Sequence, residues 1–243
     1  MIQLIKNELV KVRSEKYIKF IFILNLIPIL MNFANYIVNN KSMSLENGFY
    51  FTFYNQYFML LPIITSIIIS SIFYIEYRNN TYLDWVTYNI PRRKLFFSKL
   101  FVSLLIMAVI FISNLIILLV FYSIVDREFS NLYKIILSFT TLHLIVVISV
   151  SLIFSVIIQL TRNIVISISI GIGGSLISMI LMAAPFSYLI PLTFGYRAGL
   201  YFVDNEFYYE NPLISTLVGI GITIVLALIM LILSLKIINK KAI

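Results

Sequence analysis

Thirty-four residues separate Arg162 from Arg197 without one Asp, Glu, Lys or Arg among them. A helix needs about 20 apolar residues to cross the roughly 30 Å hydrocarbon core of a bilayer. This stretch is therefore long enough for a span and something more. Comparable apolar runs cover 20–38, 59–75, about 100–125, 134–159 and 213–235. Backbone polar groups inside lipid must be satisfied within the spanning structure, so continuous runs of this length fold as helices. The pattern predicts an all-α, polytopic membrane protein with six spans in one transmembrane domain over residues 1–243. Composition agrees: 61% of residues are hydrophobic and 12% charged, with mean hydropathy +1.01, against about 25% charged in a soluble domain.

Within the long uncharged stretch, 164–184 reads as the fifth span. Ser167, Gly171 and Ser175 recur at helical spacing and form a small-residue stripe that lets helices approach closely. Pro185 and Pro191 interrupt the continuation, and 186–200 reads as a re-entrant or outer-surface helix within a broken segment, 185–212. Residues 1–19 set Ile2, Ile5, Leu9 and Val12 at helical spacing among Lys6, Lys11, Arg13, Lys16 and Lys19, the pattern of a helix lying in a membrane interface. The aromatic run 49–58 reads as an interfacial belt, and Pro62 as a kink in the second span.

Basic residues place the termini. Fourteen of the 18 Lys and Arg fall on the side holding both chain ends, and Lys41, Arg127, Lys134 and Arg197 fall on the other. The positive-inside rule makes both termini cytoplasmic. The +8 net charge thus reports topology and gives no reason to expect nucleic acid.

Several chemistries are excluded. The chain has no cysteine and a single histidine, His143, which removes thiolate and multi-histidine metal sites and leaves no expected metal site. None of the eight glycines precedes a lysine, so the phosphate-cradling loop of an ATPase is missing. An intramembrane enzyme would need facing acids or histidines. A secondary transporter would favour intramembrane acids and two similar halves. Neither pattern is visible. The polar groups within the spans are Asn25, Asn32, Asn35, Asn114, His143 and Gln159, candidates for a translocation path. His143 reads equally as a neutral imidazole hydrogen-bonded inside the bundle.

The segment 76–99, EYRNNTYLDWVTYNIPRRKLFFSK, carries seven charges between two apolar runs. Such a segment belongs in water or in a protein socket. Asn79, Asn80 and Thr81 offer helix-start chemistry, 82–88 has the spacing of one short helix with Leu83, Trp85 and Val86 to bury, and Pro91 ends it. Glu76, Asn79-Asn80-Thr81, a short helix, Pro91-Arg92-Arg93 and then Lys99 together resemble the connection between spans two and three of ABC-2-type ABC transporter permeases. In that family the order is Glu, Asn-Gly-Thr, a coupling helix, Pro with basic residues, and a Lys opening the third span. Asn80 stands where the family usually has Gly.

The resemblance implies a permease subunit that works with a separate ABC ATPase, which holds the ATP and Mg, and with a second permease subunit, alike or different. It assigns ATPase coupling to Asn80, Thr81, Leu83, Asp84, Trp85, Val86, Tyr88, Pro91, Arg92 and Arg93 within a coupling segment, 76–94. Glu76 becomes a hinge pairing with Lys11 or Arg13. The reading from residues alone pairs Glu76 with Arg78 or a lysine at the interface. The small size and lack of a large outer domain resemble the branch of lantibiotic-immunity, bacitracin-resistance and phenol-soluble-modulin exporters. That implies export of amphipathic or antimicrobial-type peptides across a bacterial plasma membrane, with lipid or polysaccharide export as the alternative. Asp204, Glu206 and Glu210 in the aromatic loop 201–212 either receive a cationic peptide or form a solvated loop end.

Overall fold

A computed structural model describes residues 1–38, 45–79, 91–125 and 129–240. Its helices are α1 (Ile2–Arg13), α2 (Lys16–Val38), α3 (Asn55–Arg78), α4 (Arg92–Val125), α5 (Phe129–Thr161), α6 (Ile164–Leu181), α7 (Pro191–Leu200) and α8 (Pro212–Lys240). A π-helical stretch, Leu45–Tyr54, runs directly into α3. No strand occurs among the described residues. Among the described residues, six helices, α2 to α6 and α8, are long and apolar enough to cross a membrane.

The span containing α3 is the axis of the bundle: 83% of its apolar window is buried, against 6% for α8 at the periphery. The middle of α3, 63–72, is made of small or branched side chains, including Ser66, Ser70, Ile64 and Ile68, that neighbours on several sides can cover. Close packing is clearest against α6. The Ser167 and Ser70 hydroxyls share a hydrogen bond of 2.6 Å, and Ser175 donates to the Met59 carbonyl at 2.5 Å. A Cβ on Gly171 would come within 2.7 Å of the Ser66 Cβ. Small residues admit this approach because no side chain stands between the backbones.

Several boundaries differ from those expected. The helix expected over 1–19 ends at Arg13, where the Ser14 hydroxyl donates to the Lys11 carbonyl at 2.7 Å. Lys16 and Lys19 consequently belong to the first spanning helix. Pro91 initiates α4, its carbonyl accepting from the Lys94 and Leu95 amides, so Arg92, Arg93 and Lys94 form the first turn of a 34-residue helix. The helix expected over 186–200 begins only at Pro191, whose fixed φ suits a first helical position. Before it come turns and a short 3₁₀ segment, Ser187–Leu189. One side of α7 is buried against α5, where a Cβ on Gly195 would crowd Ile145. The fifth span stops at Leu181 and the sixth continues to Lys240.

The aromatic run is the clearest departure. Phe49, Phe53, Tyr54, Tyr57 and Phe58 are buried inside the bundle, and only Phe51 of the run is well exposed. The π-helix and α3 carry these rings on a face that meets rings from α4 and α5. Tyr57 lies 4.7 Å from Phe139, and Phe139 lies 5.1 Å from Phe111, centroid to centroid. Composition places an aromatic run at an interface, whereas here facing aromatic partners draw it inward.

Candidate functional site

Glu8 and Lys11 stand three residues apart on α1, on the same side as the buried Val12, because positions i and i+3 of a helix are neighbours. Glu76 sits in the last turns of α3, and Lys99 lies two turns into α4. The four side chains close into a ring. Lys99 Nζ donates to Glu8 at 2.7 Å and to Glu76 at 2.9 Å, while Lys11 Nζ donates to Glu76 at 2.6 Å and to Glu8 at 3.0 Å. Each ammonium therefore faces both carboxylates, and the ring is neutral.

Glu8, Glu76 and Lys99 are almost wholly buried, and Lys11 is the one member with substantial exposure. Burial works against the Lys11 charge. The hydrogen bond to Glu76 and the charge and hydrogen bond of Glu8 outweigh it, so its ammonium is held above the ordinary lysine value. Lys99 also reaches the Ile72 carbonyl at 3.4 Å. Charges buried to this degree persist only when paired and hydrogen-bonded. The ring meets that condition from three helices at once.

At the rim, Arg78 pairs with Glu15 at 2.5 Å, a second link from the end of α3 to the α1–α2 junction. The Arg92 guanidinium donates to the Ile238 and Asn239 carbonyls at 3.3 and 3.5 Å, so the start of α4 caps the end of α8. A cation there complements the negative pole of the helix. Residues 80–90 are thus flanked on both sides by anchored helix ends. Asn80, Thr81, Leu83, Asp84, Trp85, Val86 and Tyr88, and the short helix expected to hold them, lie outside the described residues. Pro91, Arg93 and Lys94 are exposed.

Glu76 thus meets Lys11 and Lys99, and Arg78 turns to Glu15. Arg13 is exposed and takes no part in the ring. Two members, Glu8 and Lys99, were not singled out as a site by sequence reasoning. The available signals were the i, i+3 spacing of Glu8 and Lys11 and the position of Lys99 two turns inside an apolar helix, where a lone charge demands a partner.

The intramembrane polar residues bond to one another across helices. Asn25 and Asn114 exchange hydrogen bonds of 3.0 and 2.8 Å between α2 and α4. Tyr122 donates to Asn32 at 3.1 Å, and Asn35 donates to Thr52 at 2.7 Å. His143 meets the Tyr57 hydroxyl at 2.9 Å. Gln159 is buried in α5. Asn114 also interacts with the Tyr57 hydroxyl, so Asn25, Asn114, Tyr57 and His143 form one polar run across α2, α4, α3 and α5.

In the loop before α8, Asp204 accepts from the Glu206 amide at 2.9 Å, while Glu206 and Glu210 face outward. Arg197 holds this loop to the end of α6: it donates to the Met182 and Ala183 carbonyls at 2.9 Å each and lies 4.8 Å over the Tyr209 ring. Burial pushes the Tyr209 phenol up to about 12.

A family model described as ABC-2 family transporter protein matches residues 4–178. The chain belongs to the ABC-2 transporter family. The match takes in α1 to nearly the end of α6, and so all four members of the ion ring. No curated protein and no solved structure matches the chain. Membership makes this ABC-2 protein a membrane permease, the transport subunit of a system whose ATPase is an ABC protein.

Proposed function

We propose that this permease is half of the membrane pathway of an ATP-driven exporter of amphipathic or antimicrobial-type peptides, serving export or immunity in a bacterial plasma membrane. Both termini and the 80–90 segment face the cytoplasm in this reading. Leu83, Trp85, Val86 and Tyr88 dock into a cleft on a separate ATPase, and a second permease subunit completes the pathway. The observation that carries the coupling scheme is the ring of Glu8, Lys11, Glu76 and Lys99. It ties α1 to both helices that flank the docking segment. A displacement imposed on that segment by ATP-driven closure moves α3, α4 and α1 together, with Glu76 as hinge. Coupling requires such a shared element, whose equilibrium both sites bias.

The peptide cargo rests on the resemblance to the small peptide-exporter branch, and on the polar groups Asn25, Asn32, Asn35, Asn114, His143 and Gln159, which are neutral and, apart from the self-neutralised ion ring, offer no fixed charge for a small ion. Two measurements test the scheme. Trp85→Ala lowers copurification of the cognate ATPase by about tenfold or more, because truncating a buried aromatic anchor at an interface typically costs about 2 kcal/mol. A deletion strain secretes less of, or is killed more readily by, cationic amphipathic peptides than its parent. Equal secretion and survival, with altered handling of a lipid or polysaccharide, would replace the peptide cargo.

A further inference from the structure

A groove of about 1040 Å³ lies between α2, α3 and α6, at the upper end of the roughly 300–1,000 Å³ typical of ligand sites. Its α2 wall runs from Lys16 to Leu24 and its α6 wall from Ile164 to Ile172, about 12 Å each at 1.5 Å per residue. The α3 wall runs further, from Leu60 to Arg78, so the part enclosed by all three helices is about 12 Å long, close to one half of a hydrocarbon core of roughly 30 Å. The α2 and α6 walls both start at the end of the bundle that carries α1. The depth is apolar, with Phe20 and Leu24 facing Ile63 and Ile67 across from Ile168.

The mouth is polar and charged, with Glu15, Lys16 and Arg78. Glu15 and Arg78 neutralise each other, which leaves the exposed Lys16 ammonium to make the mouth net positive. Two hydroxyls between mouth and depth have no partner: Tyr17 Oη and Ser71 Oγ are both buried, and Ser71 itself is only 3% exposed. Buried hydroxyls in native proteins are nearly always hydrogen-bonded, and an orphan calls for an absent partner. Both residues line the groove, so an acceptor that fills it is within reach of a turn of either side chain.

We infer that the groove is a binding site for a phospholipid with a singly anionic headgroup, drawn from the leaflet on the α1 side. Its phosphate sits at Lys16, its ester carbonyls accept from Tyr17 and Ser71, and an acyl chain lies between Phe20, Leu24 and Ile67. The three layers of such a lipid, charge, acceptors and hydrocarbon, follow the order of the three layers of the groove. The site exists in a single chain. It does not depend on which cargo the transporter exports.

The test uses the full chain purified in detergent and equilibrated with dioleoyl phosphatidylglycerol and dioleoyl phosphatidylcholine in equal amounts, with retained lipid counted by native mass spectrometry. The parent is expected to retain phosphatidylglycerol about tenfold over phosphatidylcholine. Lys16→Gln should bring that preference close to one, and Tyr17→Phe and Ser71→Ala should each weaken retention of both lipids severalfold. Tyr17→Phe removes one oxygen and keeps the packing, so it remains informative if another variant folds poorly. Equal retention of the two lipids by the parent, or a preference untouched by Lys16→Gln, overturns the inference. So does efficient cross-linking of two copies through Ile168→Cys with no lipid retained, which would assign the groove to a second copy of the chain.

Discussion

Lys99 Nζ and Glu76 Oε1 lie 2.9 Å apart, almost fully shielded from solvent, although the segment between them includes all of residues 80–90. The pair closes the base of that segment as a clasp, and Glu8 and Lys11 fasten the clasp to α1. Removing one member leaves the ring with one uncompensated buried charge, and breaking a buried pair in this way typically costs about 3–5 kcal/mol. Lys99→Met is therefore expected to destabilise the purified protein by an amount in that range, read from denaturant or thermal unfolding in detergent. Adding Glu76→Gln to Lys99→Met should recover part of the loss, because the orphaned carboxylate is then neutral. Additive losses in the double variant would show that the two groups do not interact.

Gly171 and Gly173 lie on the same helix in different surroundings. A Cβ at position 171 runs into Ser66, whereas at 173 nothing lies within 4 Å. Gly171→Ala should cost about 1–3 kcal/mol as overpacking, and Gly173→Ala should be neutral or slightly stabilising. Unfolding midpoints of the two variants measured side by side decide the matter, and equal effects would contradict the close α3–α6 contact.

The reciprocal amide pair of Asn25 and Asn114 predicts a measurable coupling. A double-mutant cycle with Asn25→Ala and Asn114→Ala should return about 0.5–1.5 kcal/mol, the range found for hydrogen bonds between membrane helices. A coupling near zero would free both amides for a role in the pathway.

Arg197 holds three things together: two carbonyls at the end of α6 and the Tyr209 ring. Arg197→Met removes all three links while keeping most of the aliphatic stem. It is expected to raise protease cleavage within 201–211 severalfold and to leave the Glu8–Lys99 end of the bundle unchanged. Cleavage rates equal to the parent's would mean that the loop is held by other contacts.

Topology can be checked directly, since the chain has no native cysteine. Asp84→Cys should resist an impermeant thiol reagent in intact cells and react after lysis, whereas Glu206→Cys should react in both. Labelling of Asp84→Cys from outside would reverse the orientation.

The sequence alone determined the number of spans, because the length of an uncharged run against the thickness of a bilayer is a local property of the chain. It determined the small-residue stripe of Ser167, Gly171 and Ser175 for the same reason: helical spacing puts those positions on one face whatever they meet. The 76–99 segment was recognisable from its residues in order. The tertiary structure decided which partners meet. Glu76 could pair with any nearby base on spacing alone, and only the packing of α4 against α3, with α1 placed across both, brings Lys99, Glu8 and Lys11 around it. Phe53 and Tyr57 have the composition of an interfacial belt, yet they turn inward because Phe139 and His143 face them from α5. Asn25 chose Asn114, 89 positions away, for the same physical reason. An apolar pattern records how deep a residue lies, but the rotation of one helix against another, which selects its partner, is set only when all the helices pack.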